Sequence, residues 1–531
     1  MSINHWKLLG QLKNSLSKIT NDKFFQNVLG KDTFHMINKI PVVFSNEFLK
    51  YFEQYSQGTK FNKNDAKSQQ NLPTVLQDAK TKLKTKDGIK EIKPKWKIKR
   101  SVSKCSILSQ TQHVILSIET AENEITLLGR IEALIVHLKQ FPEARNIAIR
   151  AGAIRTLLKV RRKTDGVCDI QAAIREGLAL LGYSDPVTGN GIRILAMDGG
   201  GIRGLLVLEM LKKLEELTGK RVHELFDLFC GVSTGAILSF SLGIHHTDLN
   251  QVAEGYKDIS REVFKQSPLW GTGNLVWSQA YYDTSLWEKK LQEHLGTNSL
   301  ISTSRNSNCP KLCAISAVVN QSRLSAYVFR NYSLPWRVRP YYSGSSEYEV
   351  WQAARASAAA PTYFEEFKLG KFLHQDGGIL VNNPTAVALH EAKLIWPNTP
   401  IQCVVSFGTG RSVPTPTDIY KSTPKSSSST SWTDKFYKIL DSATDTEGVH
   451  IMLNDLLPDS VYYRFNPYLT EMISMVEINQ HKLEQLERDA IMYLRRNEDK
   501  FQEAARVLTE KKTYLNKVKD WVNISKEIYG L

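Results

Sequence analysis

Residues 192–217 read IRILAMDGGGIRGLLVLEMLKKLEEL, and this stretch decides the fold. It begins with six mostly apolar residues, passes through a glycine-rich turn and continues with apolar residues at helical spacing. Strand-like and helix-like segments then alternate as far as residue 409. Such alternation is typical of βαβ units, so the sequence predicts a layered α/β domain that carries the chemistry.

The glycine-rich turn, DGGGIRG at residues 198–204, is the first candidate site. Gly199, Gly201 and Gly204 match the GxGxxG pattern, in which backbone N–H groups approach an anion at the start of a helix. The anion could be a dinucleotide pyrophosphate or the oxyanion of an acyl-transfer intermediate. A dinucleotide site also needs an acidic residue about 20 positions on, and the acids at that distance fall within the helix pattern. A tight turn without a ligand is the structural alternative.

The second motif is GVSTG at residues 231–235, between an apolar stretch and an apolar helix pattern. G-x-S-x-G between strand and helix is typical of a nucleophile elbow, in which small flanking residues permit a strained turn that projects the serine hydroxyl. Gly231 and Gly235 would be those flanking residues, and Ser233 the nucleophile. The alternative is a buried serine in a glycine turn.

The third motif, HQDGGI at residues 374–379, contains two candidate bases for that serine. Asp376 precedes Gly377 and Gly378, so its carboxylate could approach the serine closely, and burial would raise its proton affinity. His374 is the rival, because alternation along a strand directs His374 and Asp376 to the same face. Spacing alone therefore leaves a dyad and a triad both open.

Composition limits the class of protein. The chain has 531 residues, of which 42% are hydrophobic and 23% charged, so a wholly disordered, collagenous or fibrous protein is excluded. Its six cysteines are scattered and form no CxxC pair, which excludes a disulfide scaffold and favours an intracellular setting. The longest uncharged window, residues 228–244, is short and rich in small and polar residues, so no transmembrane helix is expected.

Positive charge is concentrated at the N-terminus. Residues 1–104 hold 21 Lys and Arg against 8 Asp and Glu, whereas the whole chain holds 69 against 54. Eleven of the cations lie between Lys80 and Lys104, which predicts contact with anionic lipid or a solvated linker. No nucleic-acid partner is expected because no RNA-binding signature or zinc-finger spacing accompanies the run.

Residue composition and the spacing of apolar residues divide the chain into regions. Helical spacing precedes the α/β segment, and a run rich in Ser, Thr and Pro follows it. The sequence predicts a basic, flexible arm at 1–105, a helical region at 106–185, the catalytic domain at 190–412, a loop at 413–432 and C-terminal helices at 433–531.

Four motifs in order and at matching spacing resemble the patatin-like phospholipases: DGGGIRG, GVSTG, ARASAAAPTYF at 354–364 and DGG at 376–378. The resemblance covers residues 190–410. The resemblance to one branch of that family, which is animal, membrane-associated and calcium-independent, begins further upstream, at roughly residue 140. It implies a patatin-like three-layer α/β/α domain with a central, mainly parallel sheet.

The resemblance also implies a Ser-Asp dyad that hydrolyses fatty-acyl esters of glycerophospholipids at membrane surfaces through an acyl-serine intermediate. Fatty acid and lysophospholipid would leave, and no metal or other cofactor would be needed. The implied roles are Ser233 as nucleophile, Asp376 as general base, Gly199, Gly200 and Gly201 as oxyanion hole, Arg203 and Gly204 as loop support, Gly231 and Gly235 in the elbow, and Gly377 and Gly378 in the base motif. A catalytically silent lipid- or protein-binding member of the fold is the alternative.

Two further expectations concern the surroundings of the enzyme. The acid-poor, amphipathic first 20 residues and the resemblance favour a mitochondrial or endoplasmic-reticulum membrane, whereas the ending Tyr529-Gly530-Leu531 is not a peroxisomal signal. The aromatic and basic stretch at residues 326–342 could line an acyl groove, touch lipid or pack in the core.

Overall fold

The computed structural model describes residues 103–265, 282–361, 363–412, 446–471 and 473–529. The predicted loop at 413–432 and nearly all of the predicted basic arm lie outside these ranges. The same holds for the cation-rich segment from Lys80 to Arg100 and for the first 20 residues.

The described chain begins with five helices, in the region where the apolar spacing predicted helical structure. They are α1 (Lys104–Glu119), α2 (Glu124–Gln140), α3 (Ala144–Arg150), α4 (Ala153–Lys163) and α5 (Cys168–Leu181). Asn123 and Thr126 cap the start of α2 reciprocally, and Gly182 ends α5 in the left-handed conformation. Residues such as Leu134 and Leu157, which recur at helical spacing, form a buried core between these helices.

Eleven strands follow: β1 (Ile192–Met197), β2 (Leu228–Val232), β3 (Lys311–Val318), β4 (Ser325–Arg330), β5 (Ser343–Ser345), β6 (Phe367–Leu369), β7 (Phe372–Asp376), β8 (Ile401–Phe407), β9 (Arg411–Ser412), β10 (Tyr462–Phe465) and β11 (Tyr468–Leu469). The main sheet has the order β10-β8-β1-β2-β3-β4-β5, and its first five strands are parallel. β4 and β7 both pair with β3 in antiparallel fashion, and β9 pairs with β11 separately.

Helices cover both faces of this sheet. They are α6 (Gly204–Thr218), α7 (Val222–Leu225), α8 (Thr234–Ile244), α9 (Leu249–Phe264), α10 (Thr284–Leu295), α11 (Val350–Ser357), α12 (Thr385–Ile395), α13 (Glu447–Leu456), α14 (Gln480–Arg496), α15 (Glu498–Thr509) and α16 (Tyr514–Tyr529). Alternate residues of β1 belong to two different cores: Leu195 packs with α6 and α8, and Ile194 packs with α12. The predicted three-layer α/β/α architecture is confirmed.

The C-terminal region contributes more than the predicted helices. β10 forms the edge of the main sheet beside β8, while α14 and α15 pack on α6. α16 returns to the N-terminal helices, where Ile528 enters the core next to α4. A strand of four residues, YYRF, is too short to show a period, which is why the sequence did not reveal it.

None of the helices in the described ranges is both long enough and apolar enough to cross a bilayer.

Candidate active site

The sheet topology brings Ser233 and Asp376 together. β2 pairs with β3 as far as Val232 opposite Ile315, and Ser233 follows at once. From Ser316 onward β7 takes the place of β2 beside β3, with Asp376 directly opposite Ser316. The end of β2 therefore meets the end of β7, although 143 positions separate the two residues in the chain numbering. The glycine turn lies at the same edge, because it follows the neighbouring parallel strand β1.

Ser233 occupies a strained turn between β2 and α8. Its φ of 54° and ψ of −120° lie in a region that residues with a side chain rarely adopt. The turn is held because the Ser233 N–H donates to Ser357 Oγ at 2.9 Å. A Cβ at Gly231 would collide with the carbonyl oxygen of Gly235, so the elbow needs small residues at its base. The hydroxyl is thereby presented at the N-terminus of α8.

Asp376 is buried at the end of β7, with 7% of its surface exposed. One carboxylate oxygen accepts the Gly378 N–H at 2.7 Å. Burial raises the pKa of Asp376 to about 6, and hydrogen bonds with the Ser233 side chain and the Gly378 backbone act in the opposite direction. Such a carboxylate is ionised at neutral pH and still basic enough to accept a proton.

His374 shares a strand face with Asp376, but its hydrogen-bond contact is with Ser316 and not with Ser233. It is fully buried, and its Nδ1 is 2.8 Å from Ser316 Oγ. The rings of Tyr327, Phe329 and Phe372 surround it. Burial lowers the pKa of His374 to about 4. This environment is that of a packed core histidine.

The glycine turn lies against Ser233. A Cβ built on Gly199 would be 3.1 Å from Ser233 Cβ. Thr409 Oγ1 donates to the Gly199 carbonyl at 2.8 Å, and this fixes the peptide plane that also carries the Gly200 N–H. Within the described part of the chain, neither the Gly199 N–H nor the Gly200 N–H donates to another group. Gly201 has a φ of 59°, and its carbonyl accepts the Thr234 hydroxyl at 2.9 Å.

Arg203 and Gly204 complete the turn. Arg203 Nε donates to the Gly200 carbonyl at 3.3 Å, and its side chain lines the cavity described below. A Cβ at Gly204 would collide with the Thr234 methyl group. Arg203 is thus placed to order the turn, and Gly204 allows the close packing of α6 against α8.

A buried ion pair that the sequence did not reveal anchors the turn. Asp198, the residue before the glycines, accepts both terminal nitrogens of Arg464 at 2.9 and 2.6 Å. Arg464 lies on β10, and both side chains are at most 2% exposed. Burial raises the pKa of Asp198, and the facing guanidinium of Arg464 counters that effect. The C-terminal strand therefore contributes directly to the position of the glycine turn.

Replacing Arg464 by Met should lower the free energy of unfolding by about 3–5 kcal/mol, since it leaves the Asp198 carboxylate buried without its cation. Chemical denaturation would measure this change. Arg506→Met is the control, because Arg506 is exposed and pairs with Glu510, four residues on at the end of α15, a contact worth about 0.5 kcal/mol. Equal losses in the two variants would contradict an anchoring role.

Ser233 and Asp376 line a cavity of about 610 Å³. Most of its lining side chains are apolar or aromatic: Ile237, Tyr256, Phe264, Trp287, Ala358, Ala360, Pro361, Tyr363, Phe364, Ile379, Met475 and Val476. They come from segments dispersed over more than 200 positions of the sequence, and no local pattern marks them as a group. The stretch at 326–342 does not line this cavity: Tyr327, Phe329 and Tyr332 are buried in the core, and Tyr341 is exposed. An apolar cavity with a few polar groups at one end suits a fatty-acyl chain.

No group of three or more His, Cys, Asp or Glu side chains that could hold a metal ion occurs in the described ranges.

The chain is similar in sequence to several known phospholipases. Residues 195–389 match the family model of the patatin-like phospholipases. Calcium-independent phospholipase A2-gamma from Mus musculus is 45% identical over 430 residues, which cover 81% of this chain and 54% of that protein. The corresponding protein from Homo sapiens is 43% identical over 449 residues, covering 84% of this chain and 56% of that protein. The chain thus spans little more than half the length of these relatives. Phospholipase A I from Arabidopsis thaliana is 32% identical over 387 residues, covering 61% of this chain and 29% of that protein.

Proposed function

The chain carries a patatin-like phospholipase domain, and from this premise we propose that it is a calcium-independent lipid acyl hydrolase acting on glycerophospholipids. The observation that carries the proposal is the pairing of Ser233 with Asp376 at the end of an apolar cavity. Peripheral contact with a membrane surface follows as part of the proposal, since the substrates reside there. The mitochondrial or endoplasmic-reticulum membrane remains our prediction for its location.

Acylation begins when Ser233 Oγ attacks the ester carbonyl carbon and Asp376 accepts the hydroxyl proton. The carbonyl oxygen becomes an oxyanion, for which Gly199, Gly200 and Gly201 offer backbone N–H groups. The absence of other acceptors for the Gly199 and Gly200 N–H groups among the described residues supports this role. The tetrahedral intermediate then collapses, the bond to the glycerol oxygen breaks, and Asp376 returns its proton to that oxygen. Lysophospholipid leaves and the acyl chain remains on Ser233.

Deacylation follows the same steps, with a water molecule as the nucleophile. Asp376 takes a proton from the water as the water oxygen attacks the acyl-serine, and the same N–H groups hold the second oxyanion. Collapse breaks the bond to Ser233, which recovers its proton from Asp376, and free fatty acid leaves. A base with a pKa of about 6 serves both half-reactions, because it can accept and return a proton near neutral pH.

The sequence alone left two other functions possible. A catalytically silent lipid- or protein-binding member would retain the cavity without the chemistry, and the presence of nucleophile, base and glycine turn in mutual contact argues against it. A nucleotide-binding site at the glycine turn is disfavoured because Ser233 and Asn382 crowd the turn at Gly199.

We expect the wild-type protein to release one fatty acid and one lysophosphatidylcholine per turnover from mixed-chain phosphatidylcholine vesicles in excess EGTA. Mass spectrometry of both products would measure the rate and show which ester is cut. Addition of calcium should leave the rate unchanged. Vesicle binding without product release would instead support the silent lipid-binding protein, and saturable binding of ATP or NAD would support the nucleotide site.

A further inference from the structure

A second cavity, of about 460 Å³, lies where β8 and β10 end. It shares no lining residue with the catalytic cavity. Four cationic side chains line it, Arg411, Arg464, Arg496 and Lys500, together with the carboxylates Glu447 and Asp489. Its wall thus combines residues from the sheet edge with residues from α14 and α15.

The two carboxylates of this cavity already have partners. Glu447 accepts Arg411 at 2.8 Å and lies 3.5 Å from Arg464. Asp489 accepts the backbone N–H and the hydroxyl of Thr470, at 2.9 and 2.6 Å. In the described part of the chain, neither carboxylate lies at ion-pair distance from the other two cations.

Arg496 and Lys500 form no ion pair with any residue in the described ranges. Arg496 is exposed at the rim, whereas Lys500 is half-buried, and its ammonium donates to the Arg464 carbonyl at 2.8 Å. Burial lowers the pKa of Lys500, and the nearby cations Arg464 and Arg411 lower it further. The buried Nε of Arg464 also lacks an acceptor among the described residues. The four cations face three carboxylates when Asp198, the partner of Arg464, is included, so one positive charge is unbalanced and N–H donors remain unused.

We propose that this cavity binds a phosphate group, either as a phosphomonoester lipid headgroup or as free phosphate. Phosphate oxygens accept several charge-assisted hydrogen bonds at once, and Arg and Lys are the side chains that recognise them. Arg496 and Lys500 hold the anion, and the Nε–H groups of Arg411 and Arg464, which have no acceptor among the described residues, are available as further donors. Phosphate is dianionic near neutral pH and so matches two cations that lack carboxylate partners.

The test compares Arg496→Gln/Lys500→Gln with Arg495→Gln/Lys517→Gln, a double variant that removes the same charge at exposed positions outside the cavity. Both are made in Ser233→Ala protein, so that lipid is not consumed. Calorimetric titration with inorganic phosphate at constant ionic strength gives the first dissociation constant. Flotation with phosphatidylcholine vesicles, with and without phosphatidic acid, gives the second.

We expect the Arg496/Lys500 variant to bind phosphate at least about tenfold more weakly than its parent, and the Arg495/Lys517 variant to match the parent. If only vesicles containing phosphatidic acid show this difference, the source is a lipid headgroup; if only inorganic phosphate does, the source is the free anion. Absence of binding to both probes, or equal weakening in both variants, would overturn the proposal. Because the readout is binding, the result is independent of whether the chain hydrolyses lipid.

Discussion

Ser233→Ala is expected to lower the rate of fatty-acid release by about 10⁴-fold or more, because the variant has no oxygen to form the acyl bond. Substrate binding should change little, since the apolar cavity and the glycine turn remain in place. Steady-state assays on phosphatidylcholine vesicles would measure the loss. A fluorophosphonate should label the wild-type protein on Ser233, identified by peptide mass, and leave the variant unlabelled.

Ser241→Ala is the matched control for this prediction. Ser241 lies on α8 and is buried, and its hydroxyl donates to the Ile237 carbonyl at 3.0 Å without touching the catalytic cavity. The same atom is removed in both variants, so only a catalytic role of Ser233 separates them. If Ser233→Ala retained the activity of Ser241→Ala, the nucleophile would have to be sought elsewhere.

Local patterns in the sequence predicted the parts of the site that depend on backbone geometry. Ser233 needs a strained turn that only small neighbours permit, so Gly231 and Gly235 leave a readable signature. The glycine turn is readable for the same reason, because Gly201 adopts a positive φ and a side chain at Gly199 would crowd Asn382. The resemblance to patatin-like phospholipases, inferred from these motifs, is confirmed by the family match over residues 195–389.

Contacts between distant segments left no such signature. Arg464 reaches Asp198 across 266 positions, and an arginine in a short stretch of aromatic residues looks the same whether it is exposed or buried. The choice between His374 and Asp376 was also open, because a strand's alternation gives the face of a side chain but not its neighbours. That choice depends on where β7 replaces β2 beside β3, which is a property of the assembled sheet.

Asp376→Asn is expected to reduce the rate of fatty-acid release by about 10³–10⁴-fold. The asparagine carbonyl can still accept the Gly378 N–H, but the amide cannot take a proton from Ser233. His374→Gln is the rival variant and should retain activity, since His374 contacts Ser316 rather than the nucleophile. Activity that survives in Asp376→Asn and disappears in a folded His374→Gln variant would assign the base to the histidine.

The pH dependence of the rate of fatty-acid release also distinguishes Asp376 from His374 as the general base. Because burial raises the pKa of Asp376 to about 6, the wild-type rate should rise with pH through that value and level off above it. A histidine base would place the rise of the rate near pH 4, where burial sets the pKa of His374.

The free energy of unfolding should fall as the pH rises over the range in which the rate increases. An aspartate whose pKa is raised on folding loses stability as pH rises from its unfolded value, near 4, to about 6. At neutral pH the Asp376→Asn variant should therefore be on the order of 1–3 kcal/mol more stable than the wild type, so denaturation curves would distinguish lost catalysis from lost folding.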